Sequence, residues 1–228
     1  MIAKEGYIFI FIAFILTIMS YMAYLSLQST SFYIVSIIFA LLTLFIMYFF
    51  RDPNRIFENK DGVLVSPADG KVLYVKNIGY NKFVGGDTIK IAIFLNVFDV
   101  HINRIPSDGT INYVKYNPGK FHVASVDKAS EFNEQTEIGM TTISGQKIIF
   151  KQIAGLIARR IVCRIKDGDI VSAGNRFGLI RFGSRTELFV PADTEILIKA
   201  GDRVIGSETI IGQLTSNKIK TNSKEKTV

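Results

Sequence analysis

Val63-Leu64-Val65-Ser66-Pro67-Ala68-Asp69-Gly70-Lys71-Val72-Leu73-Tyr74-Val75 reads as strand, turn, strand. Two apolar, largely β-branched runs flank a cluster in which proline and glycine end one extended segment and open the next. The pattern continues downstream. Short strands are predicted over Thr88 to Leu95, Thr110 to Tyr116, Met140 to Ile143, Lys147 to Ile153, Arg160 to Ile165, Gly178 to Phe182, Leu188 to Val190, Glu195 to Lys199 and Thr209 to Ile211. Many short strands at close spacing make this part of the chain mainly β. Helical readings are confined to Phe121 to Phe132 and to a turn over Ile153 to Arg160. Pro67-Ala68-Asp69 returns as Pro191-Ala192-Asp193, and Gly168-Asp169-Ile170-Val171 as Gly201-Asp202-Arg203-Val204. Gly-Asp-x-Val turns closing short strands suggest a flattened barrel of the biotinyl or lipoyl carrier type; two copies are too few for a solenoid.

The first fifty residues are of another kind. Lys4 and Glu5 are their only charged side chains, and two apolar runs, about Tyr7 to Tyr24 and Phe32 to Phe50, fill them. Each approaches the roughly 20 residues needed to cross a bilayer. The link Leu25-Ser26-Leu27-Gln28-Ser29-Thr30-Ser31 is short and uncharged, so the pair reads as a transmembrane hairpin. A cleaved signal peptide fits poorly, because its apolar core is shorter and no second long run follows it. Lys4 precedes the first run, Arg51 and Arg55 follow the second, and the link has no cation. The positive-inside rule then places both ends, and the whole β-rich part, in the cytoplasm; a bacterial inner membrane is what the family resemblance given below implies. Tyr7, Tyr21, Tyr24, Tyr33 and Tyr48 sit where an aromatic belt would place them.

Three regions follow: a membrane-anchoring hairpin over 1–50, a β-rich domain over 51–214, and a polar, basic tail over 215–228 expected to be disordered. The chain's whole net charge of +7 lies after residue 50. Beside a membrane anchor it reads as attraction to an anionic lipid surface or as a solvated face. No nucleic-acid-binding motif accompanies it. Cys163 is the single cysteine, which excludes an intrachain disulfide and agrees with a reducing compartment. With His101 and His122 as the only histidines, no metal-ligand spacing arises, and no metal is expected.

The candidate chemistry lies in Arg181-Phe182-Gly183-Ser184-Arg185-Thr186-Glu187-Leu188. A serine hydroxyl can attack the carbonyl just before it, and glycine at that carbonyl removes the side chain that would block the approach. Alone, Gly183-Ser184 also reads as an ordinary turn dipeptide. A serine nucleophile needs a base. His101, in Phe94-Leu95-Asn96-Val97-Phe98-Asp99-Val100-His101-Ile102-Asn103-Arg104-Ile105-Pro106, and Asp69 are the candidates for an imidazole and the carboxylate that orients it. Each has an ordinary alternative, His101 as a satisfied imidazole at a strand end and Asp69 as a turn former. His122 reads as structural. The Gly-x-Ser-x-Gly elbow, the P-loop and the Rossmann fingerprint are absent. A membrane serine hydrolase using Ser184 and His101, and a membrane-tethered, non-enzymatic biotinyl-like carrier, are the competing readings. The second lacks the Met-Lys pair that a biotin carrier needs.

In combination the motifs resemble the short prokaryotic form of the phosphatidylserine decarboxylase family. They are Phe50-Arg51-Asp52-Pro53, Ser66-Pro67-Ala68-Asp69-Gly70, the run from Phe94 to Pro106, Gln152-Ile153-Ala154-Gly155 through Ala158-Arg159-Arg160, Asn175-Arg176-Phe177-Gly178 and Arg181-Phe182-Gly183-Ser184-Arg185. They occur in family order over roughly residues 1–214. The resemblance implies a proenzyme that cuts itself between Gly183 and Ser184 into a β chain and an α chain. Ser184 becomes a pyruvoyl group whose keto carbonyl takes the amine of phosphatidylserine as a Schiff base. Carbon dioxide and phosphatidylethanolamine leave as products of phospholipid biosynthesis. By match to the family motifs, His101 is the proton donor and Asp69 the acidic partner in processing. Longer family members carry a second histidine three residues after the first, where this chain has Arg104. An arginine stays protonated and cannot act as a base, but its guanidinium suits a phosphate or a carboxylate. A homo-oligomer is left open at this level.

Overall fold

The computed structural model describes residues 1–57, 62–119, 133–155, 160–181 and 184–215. The helix read over Phe121 to Phe132, most of the turn before Arg160, His122, Gly183 and the tail beyond Thr215 lie outside the described residues.

A single 3-10 turn, Lys4–Gly6, leads into α1 (Tyr7–Leu27) and α2 (Thr30–Phe49). At 1.5 Å per residue the two helices are each about 30 Å long, the thickness of a bilayer's hydrocarbon core. Both are long and apolar enough to cross a membrane, and their outward faces expose side chains such as Phe11, Phe14, Met19, Ile34, Leu41 and Leu44. Several hydroxyls in their middle stretches donate back to the helix itself, Thr17 to Ala13 O at 2.9 Å, Ser36 to Tyr33 O at 2.7 Å and Thr43 to Phe39 O at 2.8 Å. Those three hydroxyls then need no water. The reversal is made by Gln28 in the left-handed region at φ 50°, and Tyr24 and Tyr33 pack across it with ring centroids 5.2 Å apart.

The open end of the hairpin is clipped shut. Ala3 N donates to Phe50 O at 2.8 Å, and Asp52 N donates to Met1 O at 2.7 Å. Ala3, Phe49 and Phe50 pack with Val100, Ile102 and Leu179, so the helical hairpin and the β-rich part share one small apolar core.

The remainder is β. The strands are β1 (Val63–Val65), β2 (Gly70–Asn81), β3 (Gly86–Leu95), β4 (Ile102–Arg104), β5 (Gly109–Asn117), β6 (Gln135–Thr142) and β7 (Lys147–Ile153). They continue with β8 (Ile161–Cys163), β9 (Ile170–Val171), β10 (Arg176–Ile180), β11 (Ser184–Pro191), β12 (Glu195–Ile196), β13 (Arg203–Val204) and β14 (Ile210–Gln213). Eight of them form one curled antiparallel sheet in the order β13-β2-β3-β11-β7-β6-β5-β9. Two three-stranded sheets, β1-β14-β12 and β4-β10-β8, complete the fold, and the main core includes Leu64, Ile91, Ile93, Phe150, Leu188 and Val190. Burying such side chains stabilises the fold by roughly 1.5–3 kcal/mol each. The architecture is the mainly β one read from the sequence, with the apolar helical hairpin in front.

Two details position the site. β11 is longer than the three residues read from sequence: it begins at Ser184 and lies centrally, between β3 and β7. Gly70 closes the first β turn at φ 155°, where an added Cβ would stand 2.2 Å from Phe94 O, so only glycine lets β2 start this close to β3.

Candidate active site

Ser184 is the first residue of β11 and is fully buried. Its backbone pairs with Leu95 at the end of β3, and Arg185 pairs with Phe94 on one side and Ile153 on the other. Along β11 the side chains alternate. Ser184 and Thr186 share the face of Leu188 and Val190, toward the main core, while Arg185 and Glu187 take the opposite face. There the Arg185 guanidinium meets Glu187 Oε1 at 2.6 Å and also the Tyr74 hydroxyl, and Lys90 Nζ lies 3.0 Å from the same carboxylate oxygen. A buried charge costs several kcal/mol unless paired, and this pairing accounts for the polar reading of a central strand. Ser184 Oγ has no hydrogen-bond partner among the described residues.

His101 lies close to the same end of the sheet along two routes. The chain leaves Leu95, the partner of Ser184, and turns through Asn96–Asp99; Asp99 Oδ2 accepts from Asn96 N at 2.9 Å and Asp99 N donates to Asn96 O at 3.0 Å. His101 follows two residues later. On the other route Ile180 N donates to His101 O at 3.4 Å, four residues before Ser184. The imidazole is 0% exposed and lies against Phe49, the last residue of α2, with ring centroids 4.3 Å apart. Nδ1 stands 2.9 Å from Asp99 O. A carbonyl can only accept, so Nδ1 carries the hydrogen and Nε2 presents its lone pair. Nε2 has no partner among the described residues. Burial pushes the pKa down to about 4, with the Arg51 guanidinium adding to the drop and Asp99 and Asp69 opposing it. At neutral pH the ring is therefore an uncharged base.

Asp69 is not hydrogen-bonded to that ring. Its carboxylate takes a two-pronged contact from Arg55, Nη1 to Oδ1 at 2.5 Å and Nη2 to Oδ2 at 2.8 Å, and accepts Gly206 N at 2.9 Å. It reaches His101 only through its field. Arg104 is hydrogen-bonded to neither side chain. It is 1% exposed, with Nη1 donating to Gly174 O at 2.9 Å and Nη2 to Pro53 O at 2.8 Å, 3.7 Å from Asp52 Oδ1. Burial and the neighbouring Arg176 and Arg55 guanidinium groups lower its pKa from the ordinary value. Both terminal nitrogens are thus engaged with the protein's own carbonyls.

A pocket of about 500 Å³ opens beside these groups where the sheet meets the hairpin, lined by Tyr48, Arg51, Asp69, Asn96, Asp99 and Arg203 among others. Arg51 donates to Tyr48 O at 2.8 Å and Phe98 O at 2.7 Å, and Arg203 donates to Asp99 Oδ1. Reading the sequence did not single out Arg55, Asp99, Phe49 or Arg203. Arg55 alone had a signal, as the second cation after the second apolar run.

The chain matches the phosphatidylserine decarboxylase family over residues 42–212. It is 45% identical over 213 residues to the phosphatidylserine decarboxylase proenzyme of Desulfotalea psychrophila, covering 93% of this chain and 96% of that one. The Symbiobacterium thermophilum proenzyme is 44% identical, with coverage of 93% and 95%. That of Rickettsia akari is 48% identical over 180 residues, 78% of each chain.

Proposed function

Because the chain belongs to the phosphatidylserine decarboxylase family, we propose that it cuts itself between Gly183 and Ser184 and then converts phosphatidylserine to phosphatidylethanolamine and carbon dioxide. The observation that carries this reading is Ser184: a buried hydroxyl with no partner among the described residues, opening the central strand near a neutral imidazole whose Nε2 is equally unengaged.

In the first step Ser184 Oγ adds to the Gly183 carbonyl carbon and its proton passes to Nε2 of His101. The C–N bond breaks as the nitrogen of residue 184 takes a proton, leaving an ester. Loss of the Ser184 Cα proton then expels the Gly183 carboxylate from Cβ. This divides the chain into residues 1–183 and 184–228. The dehydroalanine end tautomerises, takes up water, loses ammonia and becomes a pyruvoyl group. The residues fit such a group. Its position is the first of a strand paired to β3 and, one residue on, to β7, so the new end stays fixed by the sheet after the cut. The group supplies an electron sink for the pair left behind when carbon dioxide departs.

The chain's own residues do the rest. His101, protonated only below about pH 4 when unengaged, hands on readily any proton it takes, which suits a donor that must also serve as a base. The pocket beside the hairpin receives the headgroup, with Arg51 and Arg203 facing its phosphate and carboxylate and Asp99 and Asp69 facing its ammonium. Arg104, whose terminal nitrogens are already bound, supports the site from behind. Asp69 acts in processing by its match to the family motif. Residues 1–50 form the anchor, residues 51–214 the catalytic domain, and the two products of the cut remain together through β11.

Lys4, Arg51 and Arg176 lie by the open end of the hairpin, against an uncharged tip. This supports a cytoplasmic catalytic domain on the inner membrane, held against anionic lipid. Intact mass of each purified polypeptide tests the proposal: the expected result is two chains, the smaller beginning at residue 184 without a free amine. The Ser184→Ala variant stays whole and inactive. A fully active, unbroken chain with an unmodified serine overturns it.

A further inference from the structure

Gln152 lies on β7 directly opposite Thr186, two residues from Ser184 on the cleavage strand. It is 0% exposed. Its amide leaves the eight-stranded sheet and enters the small one that follows His101: Nε2 donates to Asn103 Oδ1 at 2.9 Å on β4 and to Val162 O at 3.2 Å on β8. Between those strands runs β10, where Gly178 pairs with Asn103 on one side and Cys163 on the other. A Cβ on Gly178 would stand 2.6 Å from Gln152 Nε2 and 2.3 Å from Val162 O. The missing side chain makes the opening that the amide fills.

Packing alone does not explain this choice. A leucine would fill the volume without a desolvated amide, and a buried polar atom without a partner is costly. Asn103 Nδ2, Gln152 Oε1, Thr186 Oγ1 and Ser184 Oγ are four such atoms, each lacking a partner among the described residues, on side chains at most 1% exposed. Gln152, Thr186 and Ser184 occupy neighbouring places on β7 and β11, and Asn103 is joined to them by the amide contact.

We propose that the Gln152–Asn103 amide pair is a positioning device for self-cleavage: it ties the strand beside Ser184 to the strand beginning just after His101 and so holds hydroxyl and imidazole in register for the attack. The inference rests on the reading that Ser184 cleaves the chain. Neither amide exchanges a proton with the reacting atoms; both act through the placement of the two strands.

The test follows conversion of freshly synthesised full-length chain into two fragments. Gln152→Leu keeps the volume and loses the tie, and it lengthens the processing half-time at least tenfold. Asn103→Leu does the same, and the double variant is no slower than either single one, because the two side chains act as a unit. Gln152→Glu is the conservative variant. When protonated, its buried carboxyl offers the O–H that replaces the amide donor. Its processing therefore speeds up as pH falls from 8 to 5.5, toward within about threefold of the unsubstituted chain, which shows no such rise. A packing role alone predicts the reverse order, leucine matching or surpassing the carboxyl at every pH. Each substitution is also placed in the uncleavable Ser184→Ala chain, where a cooperative thermal transition shows that the fold is intact. If the unsubstituted chain is cut and Gln152→Leu is cut equally fast, the positioning role falls and the processing reading stands. If the unsubstituted chain is never cut, the processing reading itself falls.

Discussion

Phe49 ends the second membrane-length helix with its ring 4.3 Å from the imidazole of His101. The helical hairpin thus borders the candidate site. Phe49 is 1% exposed and His101 is 0% exposed, and burial is the main cause of the imidazole's depressed pKa. Trimming the ring by Phe49→Ala admits water over the imidazole. The pKa then rises from about 4 toward the ordinary 6.5. In the unsubstituted chain the rate of processing is flat from neutral pH down to about 5; in the variant it falls in half by about pH 6. The measurement is the pH profile of fragment appearance, and a profile that does not move sinks the claim that the hairpin tunes His101.

The same depressed pKa sets a stability window. The unfolded chain's histidine titrates near 6.5 and the folded one near 4, so between those values the unfolded state binds more protons. The contribution is complete above pH 6.5 and is lost as pH falls toward 4, at most roughly 3 kcal/mol for one such group. Denaturant titrations of the Ser184→Ala chain at pH 7 and pH 4.5 should differ more than those of the same chain carrying His101→Gln.

The hairpin was legible because residues 7–49 carry no charge, and the β character because alternating runs are closed by Gly-Asp and Pro-Ala-Asp turns. The central place of β11 was not. Ser184-Arg185-Thr186-Glu187 is polar, and only the fold brings Tyr74 and Lys90 to pair with Arg185 and Glu187. Local sequence likewise suggested a carboxylate for His101 in Asp69. The ring instead takes a main-chain carbonyl two residues before it, while Asp69 is claimed by Arg55 from an irregular segment. The candidate site residues that the sequence offers are those whose chemistry is intrinsic, serine after glycine and a rare histidine. Those that could not are defined by long-range partners.

Gly70 distinguishes the two Pro-Ala-Asp turns. The first continues into a glycine at φ 155° with Phe94 O in the way of any Cβ; the second continues into Thr194, which needs no left-handed backbone. Gly70→Ala must displace β2 from β3 next to the residues that pair with Ser184 and Arg185. A loss of about 2–4 kcal/mol is expected from the clash and the strained φ together, read by denaturant titration of the uncleavable chain.

Arg104 supports the segment that joins the helical hairpin to the sheet, through Gly174 O, Pro53 O and Asp52. Arg104→Leu leaves those carbonyls without their donor and costs about 2–4 kcal/mol. Arg104→Lys recovers little of it, because one ammonium cannot reproduce a planar fork spanning two carbonyls. Thermal midpoints of the uncleavable chains check this. Wild-type stability in the lysine variant would show that charge alone, not geometry, is what the position requires.

Asp69 and Arg55 separate turn-building from chemistry. Their side chains are 13% and 7% exposed, and changing either removes the ion pair between them. Arg55 keeps a second carboxylate, Glu208 Oε1 at 3.2 Å, so Asp69→Asn does not strand it completely. The field of Asp69 raises the His101 pKa, so removing it leaves the imidazole still neutral at pH 7. Any slowing of processing then comes from the missing carboxylate rather than from a charged base. If Asp69 works only through its turn, Asp69→Asn and Arg55→Gln slow processing by similar factors that follow their stability losses. If the carboxylate takes part in the proton movements of the cut, Asp69→Asn slows it at least about 100-fold, within the range for a general acid or base, while Arg55→Gln, which keeps the carboxylate, slows it less than about tenfold. The second pattern is the expected one, and fragment-appearance rates of both variants at pH 7, set against their thermal midpoints, decide between the two.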